Sequence, residues 1–348
     1  MRILVVAPSL FMPWADYVAR ALIGLGQSPA IFYYSDIWVD RLTARRGRSW
    51  ANSIPPLAKG LDRWRVRWLA GRDDRLLKTA RSFRPDLLLI LRGEALSATV
   101  LQALKDQAGC PLATWWQDDP FRFTVSEMLP LYDLFFVFDR SYMKRLSAEG
   151  AQRVEFLPCS CDPSVYYRRS LNRRETARYQ SDISLIAWYY PHRAQLIRAL
   201  SGLNLKIWGR GWQSPEARMA LNGTGERLLP RERFVTDEEA AKIYSAAKIG
   251  LNIHSDQTRE GGLNTRTFEL LATGTFELTD AVPGMEELLE PGREIAVYHS
   301  AEEARALAER YLRQPQEREA IAARGRTRVL QEHTYEQRMK HLLECLTT

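Results

Sequence analysis

Four groups of residues in this 348-residue chain carry side chains suited to a charged, hydroxyl-rich ligand. The first runs from Gly261-Gly262-Leu263 through Asn264, Thr265, Arg266 and Glu269 to Gly274. Glycine-rich polar sequence gives way to a helical run that opens near Asn264 and stops at Gly274, a good helix terminator. Free N–H groups at a helix start bind anions. Arg266, in the first turn, can clamp a phosphate through two parallel hydrogen bonds. Glu269 can accept hydrogen bonds from a hydroxyl pair on a ribose or a sugar. The same residues also read as a simple cap, with Asn264 closing the helix and Glu269 pairing with Arg266 at i, i+3. The two readings are about even.

The second group is Trp115-Trp116-Gln117-Asp118-Asp119-Pro120, directly after an apolar run. Neighbours in an extended chain face opposite ways. One of Asp118 and Asp119 can therefore act as a base or ligand contact while the other ties down the loop. Carboxylates also suit Mg²⁺, but no second acidic cluster supports a metal. The alternatives are an Asp that caps a helix and tryptophans that belong to the core. The third group is Tyr190-Pro191-His192-Arg193. Proline favours the first helical position, and Arg193 near that start can reach a diphosphate. His192 can serve as an acid or base, although a lone His in a turn is more often a surface residue. The fourth is Trp208-Gly209-Arg210-Gly211-Trp212, where Gly209 and Gly211 would let a ligand approach the backbone. Asn252 and His254, at the end of a strand-like run, complete the candidates. No P-loop, complete GxGxxG or HExxH occurs, and nothing marks a Ser or Cys nucleophile.

The elements that must hold these groups alternate along the chain. Runs at Ile3–Ala7, Ala30–Tyr34, Asp86–Leu91, Leu112–Trp116, Leu134–Phe138 and Val154–Leu157 are nearly continuous in apolar character, as buried parallel strands are. Helical patterns such as Trp14–Leu25 and Ser97–Ala108 lie between them. A second series has strands at Asp182–Ala187, Leu205–Trp208, Ile249–Ile253, Thr275–Thr279 and Ile295–Tyr298. Its helices are Pro191–Leu200, Asp237–Ala246, Thr265–Ala272, Ala301–Arg313 and Gln316–Glu332. The alternation predicts an α/β protein of two doubly wound domains. The polar stretch Tyr166–Gln180, with five Arg and no apolar run, reads as their linker. Tyr335–Leu346 is left over as a final amphipathic segment. Ligands of such sheets bind outside the carboxyl ends of the strands, and two facing domains would enclose a cleft there.

Composition limits the alternatives. Hydrophobic residues make up 45% and charged residues 26%, which is ordinary globular content. The net charge of +7 points to acidic partners. The Arg residues are scattered, with local patches at Arg45–Arg48 and around Arg168 and Arg173. That pattern speaks against nucleic acid and for solvated surface. Trp64-Arg65-Val66-Arg67-Trp68 reads as a helix packing two Trp inward more readily than as a membrane-surface segment. At most, peripheral membrane contact is expected. No run approaches the roughly 20 apolar residues of a membrane span, and the start MRILVVAPSL reads as a first strand instead of a leader. The four cysteines, including Cys159 and Cys161, lack zinc-site spacing. Together these predict a cytoplasmic protein.

The combination of motifs resembles one family. Asn252, the run Asn264-Thr265-Arg266-Thr267-Phe268-Glu269-Leu270-Leu271-Ala272-Thr273-Gly274 and Pro283-Gly284-Met285-Glu286-Glu287-Leu288 look like the glycosyltransferases related to the spore protein CgeB. The chain end from Glu317-Arg318 to His333-Thr334-Tyr335 and Arg338 fits too, as do Arg84-Pro85-Asp86-Leu87, the Trp116–Pro120 motif and Leu157-Pro158. The resemblance implies the GT-B fold: an acceptor-side Rossmann-like domain over 1–165, a nucleotide-sugar domain over 166–333, and a helix over 334–348 crossing back to the first. It implies donor contacts from Tyr190, Arg193, Gly209, Gly211, Asn252, His254, Asn264, Thr265, Arg266 and Glu269, with Val235–Glu238 near the nucleobase. Asp118 or Asp119 would face the reacting sugar. The donor would be a nucleoside-diphosphate sugar, with no bound metal or other cofactor. The acceptor would be a glycan, a protein or a small molecule. One position departs: retaining relatives often carry Glu eight residues before the position of Glu269, and this chain has Gly261 there, beside Glu260. A non-catalytic sugar-nucleotide binder on the same fold is the second reading.

Overall fold

The computed structural model describes residues 1–8, 13–35, 71–222, 227–228 and 235–347. The Trp64–Trp68 stretch and the Arg45–Arg48 patch lie outside the described residues. The chain divides into two units, Met1–Pro158 with Tyr335–Thr348, and Cys159–Thr334.

The first unit is built on six parallel strands: β1 (Arg2–Ala7), β2 (Ser28–Tyr33), β3 (Leu87–Leu91), β4 (Leu112–Trp116), β5 (Leu134–Val137) and β6 (Val154–Phe156). Their order is β2-β1-β3-β4-β5-β6. Every side chain of β3 and β4 is buried, because helices cover both faces of a parallel sheet. Helices Trp14–Gly24, Arg72–Phe83 and Ala98–Ala108 connect the strands. Ser97 caps the last of these by accepting from the Val100 N–H. The helix Tyr335–Cys345 also belongs to this unit. Tyr335 packs its ring against Tyr17 and Trp115, and Arg338 donates from Nε to the Pro158 carbonyl at 2.8 Å.

The second unit repeats the plan. Its strands are β7 (Ser181–Ile186), β8 (Leu205–Trp208), β9 (Arg227–Leu228), β10 (Ala247–Asn252), β11 (Phe276–Asp280) and β12 (Ala296–Tyr298). They pair in parallel in the order β12-β11-β10-β7-β8-β9. Ile183, Leu185, Ile249, Leu251, Phe276 and Leu278 form the centre of its core. The helices that matter below are Pro191–Ala199, Asp237–Ala246 and Thr265–Ala272.

The stretch Tyr166–Gln180 is not a linker. It lies inside the second unit and carries a helix, Arg173–Tyr179, closed by a capping box between Asn172 and Glu175. Its five Arg misled because its stability comes from the cap, the Lys242–Glu175 ion pair at 2.9 Å and one buried ring, Tyr179 against Trp208. Among the described residues no helix is long and apolar enough to cross a membrane.

Candidate functional site

In the second unit the strand order reverses between β7 and β10, the point where doubly wound sheets take their ligands. The turn after β7 leads into the helix Pro191–Ala199, with Pro191 at its first turn. Arg193 is drawn under that turn and is only 6% exposed. Its Nη1 donates to the Trp188 carbonyl at 2.8 Å and its Nη2 to the Ile253 carbonyl at 3.1 Å. Its Nε is buried without a partner. The Tyr190 ring lies 5.0 Å from the guanidinium and stacks on His192.

Arg193 forms no ion pair with a carboxylate among the described residues. Burial, followed by repulsion from Arg266, pushes its pKa down to about 10. The same forces, burial and then the Arg193 charge, push the His192 imidazole below its ordinary value. Arg266 sits in the first turn of the helix Thr265–Ala272, hydrogen-bonds the Tyr244 hydroxyl, and also keeps a buried Nε without a partner. It too forms no ion pair among the described residues. A buried cation left without a counter-charge is costly. Buried Arg193 and half-buried Arg266 lie within electrostatic reach of each other, with Asp280, Glu269 and Glu277 as more distant carboxylates, so an anion between the two guanidiniums would be stabilised.

The floor under Arg266 is a polar network. Asn264 caps the helix, accepting from the Thr267 N–H at 3.2 Å. Its side-chain amide exchanges hydrogen bonds with that of Asn252, both at 3.0 Å. Asn252 Nδ2 also reaches Thr267 Oγ1 at 3.0 Å and Glu277 Oε1 at 2.8 Å, and Thr267 Oγ1 donates to Glu277 Oε1 at 3.0 Å. Asn252 is fully buried and its amide is spent inside the protein. In the structure Asn252 sets the helix start through Asn264 and Thr267. Burial raises the Glu277 pKa to about 7 against the pull of those two donors. Sequence reasoning missed Glu277. The available signal was a Glu inside a strand whose first four residues are buried.

Thr265 follows the cap, and its side chain and the Tyr166 hydroxyl bond the Glu269 carboxyl. Burial and then Asp237 push the Glu269 pKa up to about 7, with Arg266 pulling the other way. Glu269 makes no salt bridge with Arg266, so the i, i+3 pairing does not form, while the capping role of Asn264 does. His254, just beyond β10, is held by Asp280: its backbone N–H donates to Asp280 Oδ1 at 3.0 Å, and its Nδ1 lies 2.9 Å from the same oxygen. Its Nε2 is buried and unpartnered. Burial alone would raise the Asp280 pKa, but its bonds with His254 hold it below the ordinary value.

Gly209 and Gly211 stand against the turn after β7. A Cβ on Gly209, at φ +130°, would lie 2.1 Å from the Ala187 carbonyl oxygen. One on Gly211 would meet Tyr189 Cβ at 2.9 Å. The close neighbour in the structure is the turn after β7, and the glycines let the two strand-end loops pack on one another.

Asp118 and Asp119 belong to the first unit, and the structure separates their roles. Asp119 is 7% exposed, and its carboxylate caps the short helical turn after it, accepting from the Phe121 N–H at 2.9 Å. Asp118 is more open and pairs with Arg92 at 2.8 Å.

Comparison with known proteins follows the same lines. Residues 192–344 match a family model described as glycosyl transferase-like. The spore protein CgeB of Bacillus subtilis (strain 168) is 24% identical over 260 residues, covering 71% of this chain and 78% of that protein. HepE of Anabaena, solved with UDP and glucose, superposes over all of this chain and 99% of its own with a TM-score of 0.67 at 14% identity. A glycosyltransferase from Rickettsia africae ESF-5 superposes over 99% of this chain and 97% of its own, with a TM-score of 0.65 at 14% identity.

Proposed function

We propose that this chain, a CgeB-like glycosyltransferase of GT-B fold, takes a uridine-diphosphate sugar as donor and passes the sugar to an acceptor hydroxyl. The observation that carries the donor reading is the pair Arg193 and Arg266, two recessed guanidiniums with no carboxylate partner among the described residues. Uridine is chosen because HepE was solved with UDP and with UDP-glucose.

In this reading Arg193, Arg266 and the N–H groups opening the helix Thr265–Ala272 hold the diphosphate. As the bond between the anomeric carbon and the β-phosphate oxygen breaks, negative charge gathers on that oxygen. Fixed positive groups in a recessed site stabilise this charge more than they stabilise the intact donor. His254 Nε2, steadied by Asp280, is a further contact for the phosphates. Glu269 receives the ribose hydroxyls. The acceptor oxygen forms the new bond to the anomeric carbon, and its proton passes to Asp118, the more open of the two neighbouring carboxylates. Arginine supplies the charge that a divalent ion supplies in other transferases. We place the protein in the cytoplasm, with its cysteines free.

A thermal-shift panel of UDP, GDP, ADP and dTDP tests the donor. A ligand at about 100 times its Kd adds roughly 2.7 kcal/mol to the folded state, so UDP should raise the melting temperature by several degrees. Arg266→Ala should abolish that rise, leave the unliganded melt in place and lower turnover by about 10²–10³-fold. A variant that still binds UDP and turns over like the wild type would refute the assignment.

A further inference from the structure

The first unit carries a second constellation, built on a strained residue. Arg92, directly after β3, adopts φ +68°, a conformation that non-glycine residues rarely hold, and Gly93 follows at φ +90°. Such strain costs about 1–3 kcal/mol and gathers at functional sites. Here it turns the chain so that one guanidinium bridges two carboxylates. Arg92 Nη2 donates to Glu94 Oε1 at 2.7 Å and Nη1 to Asp118 Oδ2 at 2.8 Å. The Phe123 ring lies 5.3 Å from the guanidinium. Glu94 Oε2 accepts from the Tyr34 hydroxyl at 2.5 Å, and that hydroxyl accepts from the Gly93 N–H at 3.2 Å. Burial would raise the Glu94 pKa, yet the bonds from Arg92 and Tyr34 hold it below its usual range, so it stays a carboxylate.

Tyr34, Arg92 to Glu94, and Asp118 stand just beyond the carboxyl ends of β2, β3 and β4, where a doubly wound sheet takes its ligand. Three buried donors nearby, Arg92 Nε, Trp116 Nε1 and Gln117 Nε2, have no partner. Trp116 packs on Phe123, the same ring that lies by Arg92. A closed ion-pair network kept only for the fold would satisfy its donors. These await oxygen atoms from elsewhere.

We propose that Arg92, Glu94 and Gln117 form the acceptor subsite, and that it takes a neutral polyhydroxyl ligand such as a sugar. This rests on the glycosyltransferase reading above. A sugar hydroxyl both donates and accepts, and the subsite offers both: carboxylate oxygens on Glu94 and Asp118, N–H groups on Gln117 and Arg92. Two carboxylates already hold the Arg92 guanidinium, which leaves it little attraction for phosphorylated or acidic acceptors. Arg92 is the positioning residue: its strained backbone holds Asp118 and Glu94 at fixed separation.

Saturation-transfer NMR on the full chain tests this with methyl glycosides of glucose, galactose, mannose and N-acetylglucosamine beside glucose 6-phosphate and glucuronic acid. At least one neutral glycoside binds, and the acidic sugars bind more weakly. Glu94→Gln and Gln117→Ala each weaken the neutral ligand about tenfold, with UDP affinity by calorimetry unchanged. Gln117→Ala gives up no hydrogen bond to the described residues, so it carries the test if Glu94→Gln lowers the melting temperature. Absence of neutral-glycoside binding, tighter binding of an acidic sugar, or unaltered affinity in Gln117→Ala overturns the proposal. Neutral-sugar binding that responds to these variants in a protein that ignores UDP would uphold the subsite and remove the donor assignment instead.

Discussion

Glu277 shows how a single buried group writes a pH dependence into the fold. Its carboxyl is shut away from solvent and its pKa stands at about 7. The folded state therefore holds this proton more tightly than the unfolded chain does. The group's contribution is fully present below its ordinary value near 4.5 and is lost as the pH rises through about 7. Glu269 acts in the same direction. Glu277→Gln keeps an oxygen for Asn252 and Thr267 and cannot ionise. Its melting temperature should sit near or below wild type at pH 5 and above it at pH 8, by about 5 °C for a difference of about 2 kcal/mol. Parallel melting curves for the two proteins across that range would show that Glu277 is not the titrating group. Activity should fall in the variant far less than in Arg266→Ala, because Glu277 acts only through the floor of the site.

At the scale of elements, close backbone packing does as much as side chains. Gly209 lets the turn after β8 sit on the turn after β7, with hydrogen bonds from the Ala187 N–H to the Trp208 carbonyl and from the Tyr189 N–H to the Arg210 carbonyl. Gly209→Ala places a carbon inside the Ala187 carbonyl and strains φ as well. It should destabilise the second unit by about 3 kcal/mol or more, and Gly211→Ala by less. Urea titrations read this directly, and a Gly209→Ala midpoint equal to wild type would contradict the packing. The strands were legible because parallel strands buried on both faces are plainly apolar: Leu112–Trp116 and Leu205–Trp208 fall where the composition puts them. Helices Asp237–Ala246, Thr265–Ala272 and Ala301–Arg313 lie at their expected positions, and Thr236, Asn264 and Ser300 cap them. Less was legible where tertiary context decides. The helix Arg173–Tyr179 has one buried side chain and a polar surface. The Arg92 turn has no propensity signal, since nothing in Leu-Arg-Gly-Glu marks the arginine as left-handed. In the candidate site the charged residues could be picked out, but their division of labour could not. Whether Asn252 faces a ligand or a neighbouring amide depends on register between β10 and β11.

For the molecule as a whole, the path of the chain ties the first unit to its own far end. After Thr334 the chain leaves the second unit, and Tyr335–Cys345 buries Tyr335, Met339 and Leu342 on the first. Arg153 donates to the Cys345 carbonyl at 2.8 Å, and Arg338 reaches the Pro158 carbonyl. Three apolar side chains at about 1.5–3 kcal/mol each approach the whole stability of an ordinary domain, about 5–15 kcal/mol. A chain ending at Thr334 should therefore lose most of the first unit's stability, exposing Tyr17 and Trp115. The second unit keeps its core, its caps and the arginine pair. Its melt should survive as a separate transition, and UDP should still raise it. Two-domain proteins need not melt in one step, so calorimetry can follow each unit. If the truncated chain melts as the full one does, the final helix is dispensable to the first unit. If UDP stabilises nothing in a second unit that remains folded, the arginine pair does not bind the diphosphate on its own.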